Sequence, residues 1–578
     1  MRRHVALVAS VLLLLTACGA PTETTTPTAT SPAGTAPAAS TPGGTQPAAT
    51  TPAAVTSKDT MIIAIPGTPP GIDPDLQAAP QMFTIGAQLY GELGLRWGRA
   101  PYTAQQTIAD PNKVPGFWVA DTDQTKLTPG IIQSCTLAPD GSKVTLSLRQ
   151  GVMSPYGNEF TTDDILWGIQ RSVAHNFIGA FFMGVGGAPD PAQWHALDKY
   201  TMEIDQANGQ SLFNMCGLMA HLGAAPSWFM DSTETKKHAT ADDPWAGDWV
   251  NHYGSWYGPY YITDWQPDNQ VVLEANPNYY LGELPIKKII YQVVPQSADR
   301  IALLEAGTVD LVEGISPTEA EALDSQAGVR PIAVESNKQY FAFMNDSIDP
   351  WSNPLVRQAM NYSIDRNSIA TNIYHGLATP YEGWLPVNFA GYEPYNTYDF
   401  NLQKAKDLLT QAGYPNGFNT ELSYSSGAPE EEQVAIAWQT SLAQIGVNLT
   451  LKKITPTAIS QMVVGGTATN FNFAFWEDAP FLPDPVFSLQ LWYQSTANAK
   501  WYHFANSEVD SQIQACANMN EFAQRVSCIQ AAAHTVDALA PVVNIVAPYF
   551  IYAVTDKVSN ANFNYGLSYV VEGMTIQP

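Results

Sequence analysis

Positive charge is what this sequence has least of for its length: 27 Lys and Arg stand against 53 Asp and Glu, a formal net charge of −26. Such a chain repels polyanions, which argues against nucleic-acid binding and electrostatic docking on anionic lipid. Histidine is scarce as well. The nine in the chain are scattered without the paired spacing that metal ligands need, although His375 and His503 could still meet in space. No metal site and no cofactor are therefore expected, with a bound metal complex left open as a ligand. The signatures of common enzymes are missing too: no G-x-S-x-G elbow, no H-E-x-x-H helix and no glycine-lysine phosphate loop. Gly184-x-Gly186-Gly187 sits between an apolar run and Pro189, the wrong context for a nucleotide loop. The adjacent acids Asp163 and Asp164 resemble a catalytic pair, but neighbouring helical positions point apart, and Thr161 followed by acids reads as a helix start. No nucleophile or base constellation is left, so no catalytic residue is assigned.

Small and hydroxylated residues dominate the beginning of the chain. Residues 1–20, MRRHVALVASVLLLLTACGA, carry two arginines and an apolar run too short for a stable bilayer span. Leu15-Thr16-Ala17-Cys18 resembles a bacterial lipobox. That resemblance implies removal of residues 1–17 and a diacylglycerol on the Cys18 thiol, with an ordinary secretory signal as the alternative. Either way the protein is exported. Lipid chains contribute about 0.8 kcal/mol per buried CH₂, so two of them anchor a folded domain to the outer face of the membrane. Residues 18–57 then form a Thr/Pro/Ala-rich tether that cannot build a core. Fully extended, at about 3.1 Å per residue, it reaches on the order of 100 Å.

The remaining 520 or so residues exceed what one core normally holds, so two or more domains are expected. Five cysteines suit an oxidising location. With Cys18 lipidated, four remain. We expect Cys516 to pair with Cys528, which requires a turn near Asn518 to Asn520 because one unbroken helix would hold them about 18 Å apart. Cys135 and Cys216 are then left for each other; four free thiols are the alternative. Thr60 to Ile65 reads as a buried strand, and Pro139-Asp140-Gly141 as a turn between two strands. From Asn353, a cap before Pro354, helical periodicity runs through Ile364 and Ile369 to Gly376. A second helix runs from Asn401 to Gly413.

Within that last stretch the order Asn345-Asp346, Pro354, Val356 to Ala359, Ile364 to Arg366, Tyr374, Gly376, Ala378, Pro380, Leu385-Pro386 resembles the family 5 extracytoplasmic solute-binding proteins, which serve ABC importers for peptides. Matching stretches, among them Gly258-Pro259-Tyr260 and Asn276-Pro277-Asn278-Tyr279, extend the resemblance across the chain from about residue 60 onward. It implies an α/β fold of the type II periplasmic-binding class: two lobes joined by hinge strands, plus an extra α/β domain. Lobe I would use residues 58–100, 240–313 and 541–578, the additional domain 101–239, and lobe II 314–540, with hinges near Glu313 and Pro541. It also implies a peptide ligand, permease subunits of an ABC transporter as partners, attachment to the membrane through the lipid anchor, and a monomer.

The stretch Phe471 to Trp492 is the most site-like. Phe471, Phe473 and Phe475 alternate as a strand that ends at Trp476-Glu477-Asp478 and enters a proline-rich loop. In peptide-binding members of the family a tryptophan follows this strand, and an aspartate shortly after it pairs with the peptide α-ammonium group. Asp478 is the nearest match, with Glu477 and Asp484 as alternatives; Trp476, Trp384 and Trp492 are candidate walls. A metal chelate or an oligosaccharide would suit the same role. An exported hydrolase, or a lipoprotein adhesin or sensor on the same fold, is the competing class.

Overall fold

A computed structural model describes residues 59–577, apart from 77–79, 92, 97–98, 102–117, 121–125, 208, 210, 221–225, 388, 395–396, 465–471, 481 and 564–567. Cys18, the tether and Phe471 lie outside the described residues. The β-branched run Thr60–Ile65 is a central strand, paired in parallel with Lys288–Val293 on one side and Leu311–Glu313 on the other. Around it a seven-stranded sheet runs in the order Tyr260–Gln266, Gln270–Ala275, Lys288–Val293, Thr60–Ile65, Leu311–Glu313, Phe550–Thr555, Val329–Val334. A second, six-stranded sheet runs Ala378–Pro380, Val542–Pro548, Gln339–Met344, Phe473–Asp478, Asn419–Ser425, Asn448–Ile454.

The chain passes between these sheets at residues 335–338 and again at Tyr549. This moves both expected hinge points. Val329–Val334 pairs with Phe550–Thr555, so the first lobe extends beyond Glu313. Val542–Pro548 pairs with Gln339–Met344, so the second lobe extends beyond Pro541. Pairing between segments about 200 residues apart or more decided both cases.

The region inserted before the first sheet is completed centres on a third sheet, Ile132–Leu137, Lys143–Leu148, Thr201–Asp205 and Trp194–Asp198. Its first turn places Gly141 at a φ of +74°, which glycine adopts freely. The helix Thr162–His175 has the capping box that its sequence suggests. Thr161 accepts from the Asp163 amide, and Asp164 bonds back to the Thr161 amide at 2.9 Å, so the acid pair is a helix start. At Asn353 the cap forms as read, bonded to the Leu355 amide. The helical run from Pro354 is broken after Tyr362, however. Asp365 caps a separate helix, Arg366–Asn372, before Gly376 turns at a φ of +80°.

Both disulfides form as expected, Cys516 to Cys528 across the turn between the helices Ser507–Ala517 and Phe522–Leu539, and Cys135 to Cys216. The same turn touches the third-sheet region: Ser211 bonds Asn520 at 2.5 Å, and Phe213 is stacked on Phe522 at 6.4 Å with the Arg525 guanidinium 4.5 Å over its ring. The Cys135–Cys216 link closes a separation of 81 residues. Replacing both cysteines with serine is expected to cost about 2–4 kcal/mol. A melting temperature unchanged from the disulfide-bonded protein would contradict this.

Candidate ligand site at the carboxyl edge of the second sheet

Strands Asn419–Ser425 and Phe473–Asp478 run parallel and end at the same edge of the second sheet. The crossing segment 335–338 leaves from that edge, so it faces the first lobe. In open α/β sheets, ligands lie outside the carboxyl ends of the strands. The side chains gathered at this edge are therefore where ligand chemistry is expected.

Asp478 sits directly opposite Gln339 in the antiparallel ladder. Its carboxylate accepts from the Ala479 amide at 2.6 Å and from Trp476 Nε1 at 3.4 Å. Among the described residues no cation pairs with it. Burial pushes its carboxyl up to about 7; the two hydrogen bonds pull against that rise, and the Glu477 charge adds to it. Beside it Gln339 is fully buried, and neither the oxygen nor the nitrogen of its side chain has a hydrogen-bond partner. A buried amide left open in this way costs about 1–3 kcal/mol, which makes it a mark of a site awaiting a polar group.

Glu477 points the other way and is ion-paired with Lys338 of the crossing segment at 2.7 Å. Trp476 is half-buried, edge-on to Trp501 at 6.0 Å between centroids. Trp492 is fully enclosed, 5.1 Å from the Phe341 ring and 6.0 Å from that of Phe343, with its Nε1 unbonded. Trp384 is buried as well. Its Nε1 donates to Asp537 at 2.8 Å, and it lines a small polar pocket with Arg366, Asp399 and Asn544. Of the three tryptophans named from the sequence, then, Trp476 stands at the edge, Trp492 lies in the packed interior and reaches it through Trp501, and Trp384 is buried at the separate pocket beside Asp537. Asp484, the alternative to Asp478, is fully buried: it caps the helix Pro485–Tyr493 and is ion-paired with Arg525. His375 is held by Glu321 at 2.7 Å and Thr318 at 3.1 Å, both on a first-lobe helix.

Sequence reasoning overlooked Gln339, Tyr340, Lys338, Glu430 and Glu431, which share this edge. Only the Glu430-Glu431-Glu432 run was a visible signal, and it reads locally as an acidic first helical turn.

Comparison with known proteins agrees with this architecture. The family model for bacterial extracellular solute-binding proteins, family 5 Middle, matches residues 126–500. The glutathione-binding protein GsiB of Escherichia coli K12 is 25% identical over 445 residues, 75% of this chain and 83% of its own. The dipeptide-binding protein of Pseudoalteromonas sp. SM9913, solved with Met-Leu, superimposes with a TM-score of 0.72 at 20% identity, over 90% of this chain and 100% of its own. DppA of Helicobacter pylori, solved with the peptide STSA, gives 0.70 at 20% identity over 90% and 98%. The two-lobed fold with its additional region is thus that of the periplasmic binding proteins, and the chain belongs to family 5 of the bacterial extracellular solute-binding proteins.

Proposed function

We propose that this protein captures peptides between its two lobes and delivers them to the permease of an ABC importer, as a monomer tethered to the outer face of the membrane by lipid on Cys18. The observation that carries the reading is Asp478: a half-buried carboxylate at the carboxyl edge of the second sheet, with no cation of its own among the described residues. A peptide α-ammonium group supplies that missing charge, in a bond contributing about 1.5–3 kcal/mol. Gln339 offers a donor and an acceptor to a peptide bond, and Trp476 an apolar wall. Glu477 flanks the site, while Trp492 buttresses Trp476 through Trp501. The dipeptide, tetrapeptide and glutathione bound by the relatives are ligands of the same chemical class. A binding role rather than catalysis accords with the family.

Native mass spectrometry of the full-length protein, repeated after denaturation, tests this. Released short peptides that disappear in Asp478→Ala support it. A released sugar or metal complex would remove Asp478 from its assigned role, and turnover of added peptides would overturn the binding role itself.

A further inference from the structure

Asp478 is not alone at its edge in lacking a counter-charge. Strand Asn419–Ser425 ends beside it, and the helix Pro429–Gln444 opens with three glutamates. Glu432 turns outward to Lys453 at 2.6 Å and Tyr424 at 3.1 Å. Glu431 folds inward instead. It is 7% exposed, and its Oε2 accepts from the Ser425 amide at 2.6 Å. Glu430, half-buried next to it, feels the charges of Glu477 and, across the lobes, of Glu319. Burial pushes Glu431 up to about 7, with Glu477 and Glu430 adding to the rise, and it raises Glu430 too. Among the described residues the one cation acting here is Lys338, already bonded to Glu477.

In a chain this acidic, solvated carboxylates would carry no message. These are different because they are partly or wholly buried and have no cation of their own among the described residues, which costs stability that a ligand can restore. A second observation points the same way. Tyr340, the cross-strand partner of Glu477, is 1% exposed, its hydroxyl has no hydrogen-bond partner, and the charge it feels most is that of Glu431. Gln339 and Tyr340, adjacent on one strand, are thus each buried and open at this end of the sheet, one on each face of it.

We propose that Glu430 and Glu431, with the Tyr340 hydroxyl, form a subsite for a second positive charge on the ligand, so that the protein selects basic peptides over neutral and acidic ones. This rests on the peptide reading above, which supplies the first charge at Asp478.

Calorimetric titration of the full-length protein at pH 7.5 with four probes separates the two ideas: trialanine, Ala-Lys-Ala, Ala-Glu-Ala and 1,5-diaminopentane. Ala-Lys-Ala is expected to bind at least tenfold tighter than trialanine, with Ala-Glu-Ala weakest. Glu430→Gln and Glu431→Gln should each narrow the tenfold ratio to within about threefold. If Glu431→Gln does not fold, the half-buried Glu430→Gln carries the test. Equal binding of trialanine and Ala-Lys-Ala overturns the charge selection and leaves the peptide reading intact, as does a ratio that survives Glu430→Gln. Binding of the diamine without any peptide upholds the charge selection and overturns the peptide reading. Binding of none of the four defeats both.

Discussion

Replacing Asp478 with alanine weakens binding of ammonium-bearing ligands by a factor on the order of 100, the equivalent of losing one charge-assisted hydrogen bond. The isosteric Asp478→Asn should do the same to binding while raising the melting temperature of the empty protein at pH 8. The reason is the upward displacement of this carboxyl from its ordinary 3.8 to about 7. A carboxyl raised by burial favours the neutral form. Its contribution to stability is fully present below the unfolded value and is lost as pH rises through about 7. Asparagine carries no such loss. Ligand reverses the sign, because an ammonium group needs the ionised form. Affinity for a peptide should therefore improve roughly fivefold between pH 6 and about pH 7.5 and fall again above pH 8, where the α-ammonium group itself loses its proton. Calorimetry across that range, paired with melts of the empty protein, reads both halves. An affinity that stays flat with pH, or a variant that melts lower at pH 8, would count against the assignment.

Asp484→Ala is expected to be the most destabilising of these single changes. Asp484 is fully buried, with one oxygen on the Val486 amide at 3.0 Å and the other on Arg525, itself 1% exposed. Removing the acid strips the helix Pro485–Tyr493 of its cap and leaves a buried guanidinium uncompensated, at about 3–5 kcal/mol. The damage should not stay local. Arg525 also donates to the carbonyls of Ala517 at 2.9 Å and Met519 at 3.1 Å, which fixes the turn that carries Asn520 and Phe522 against the third-sheet region. Thermal melts and urea titrations of the variant measure the loss, and a midpoint within about 2 °C of the parent, on the order of 1 kcal/mol or less, would show that the pair contributes little.

Features fixed by near neighbours were the legible ones. Asn353 before Pro354, Thr161 before Asp164, and the turn between Cys516 and Cys528 depend on a few adjacent residues, and each formed as read. Even the unread break at Tyr362 had a local sign, an aspartate placed to cap the next helix. The hinge positions had none. Val329–Val334 and Val542–Pro548 are apolar strands in either lobe, and only their distant partners assign them. The site divided along the same line. Asp478 was proposed through family resemblance at a strand end, whereas an aromatic side chain says nothing of whether it stands half-buried at a sheet edge, like Trp476, or fills a core, like Trp492. Glu431 looked like an ordinary helix-start acid because what sets it apart is its burial and its bond to the Ser425 amide across a bend, with the distant Tyr340 close enough to feel its charge.

The strand order of the first sheet also sets a timetable. Its central strand, Thr60–Ile65, is among the first structured parts to be made, yet Leu311–Glu313 must come about 250 residues later, and that strand's other neighbour, Phe550–Thr555, about 490 residues after the first. At the usual 5–20 residues per second of synthesis, roughly 25 to 100 seconds separate the two ends of one sheet. For about half of that interval the central strand lacks its neighbours, and for the rest Leu311–Glu313 keeps an open edge; loop closure over such distances is slow in its own right. The first lobe, begun earliest, can thus be finished only once the second has already been made.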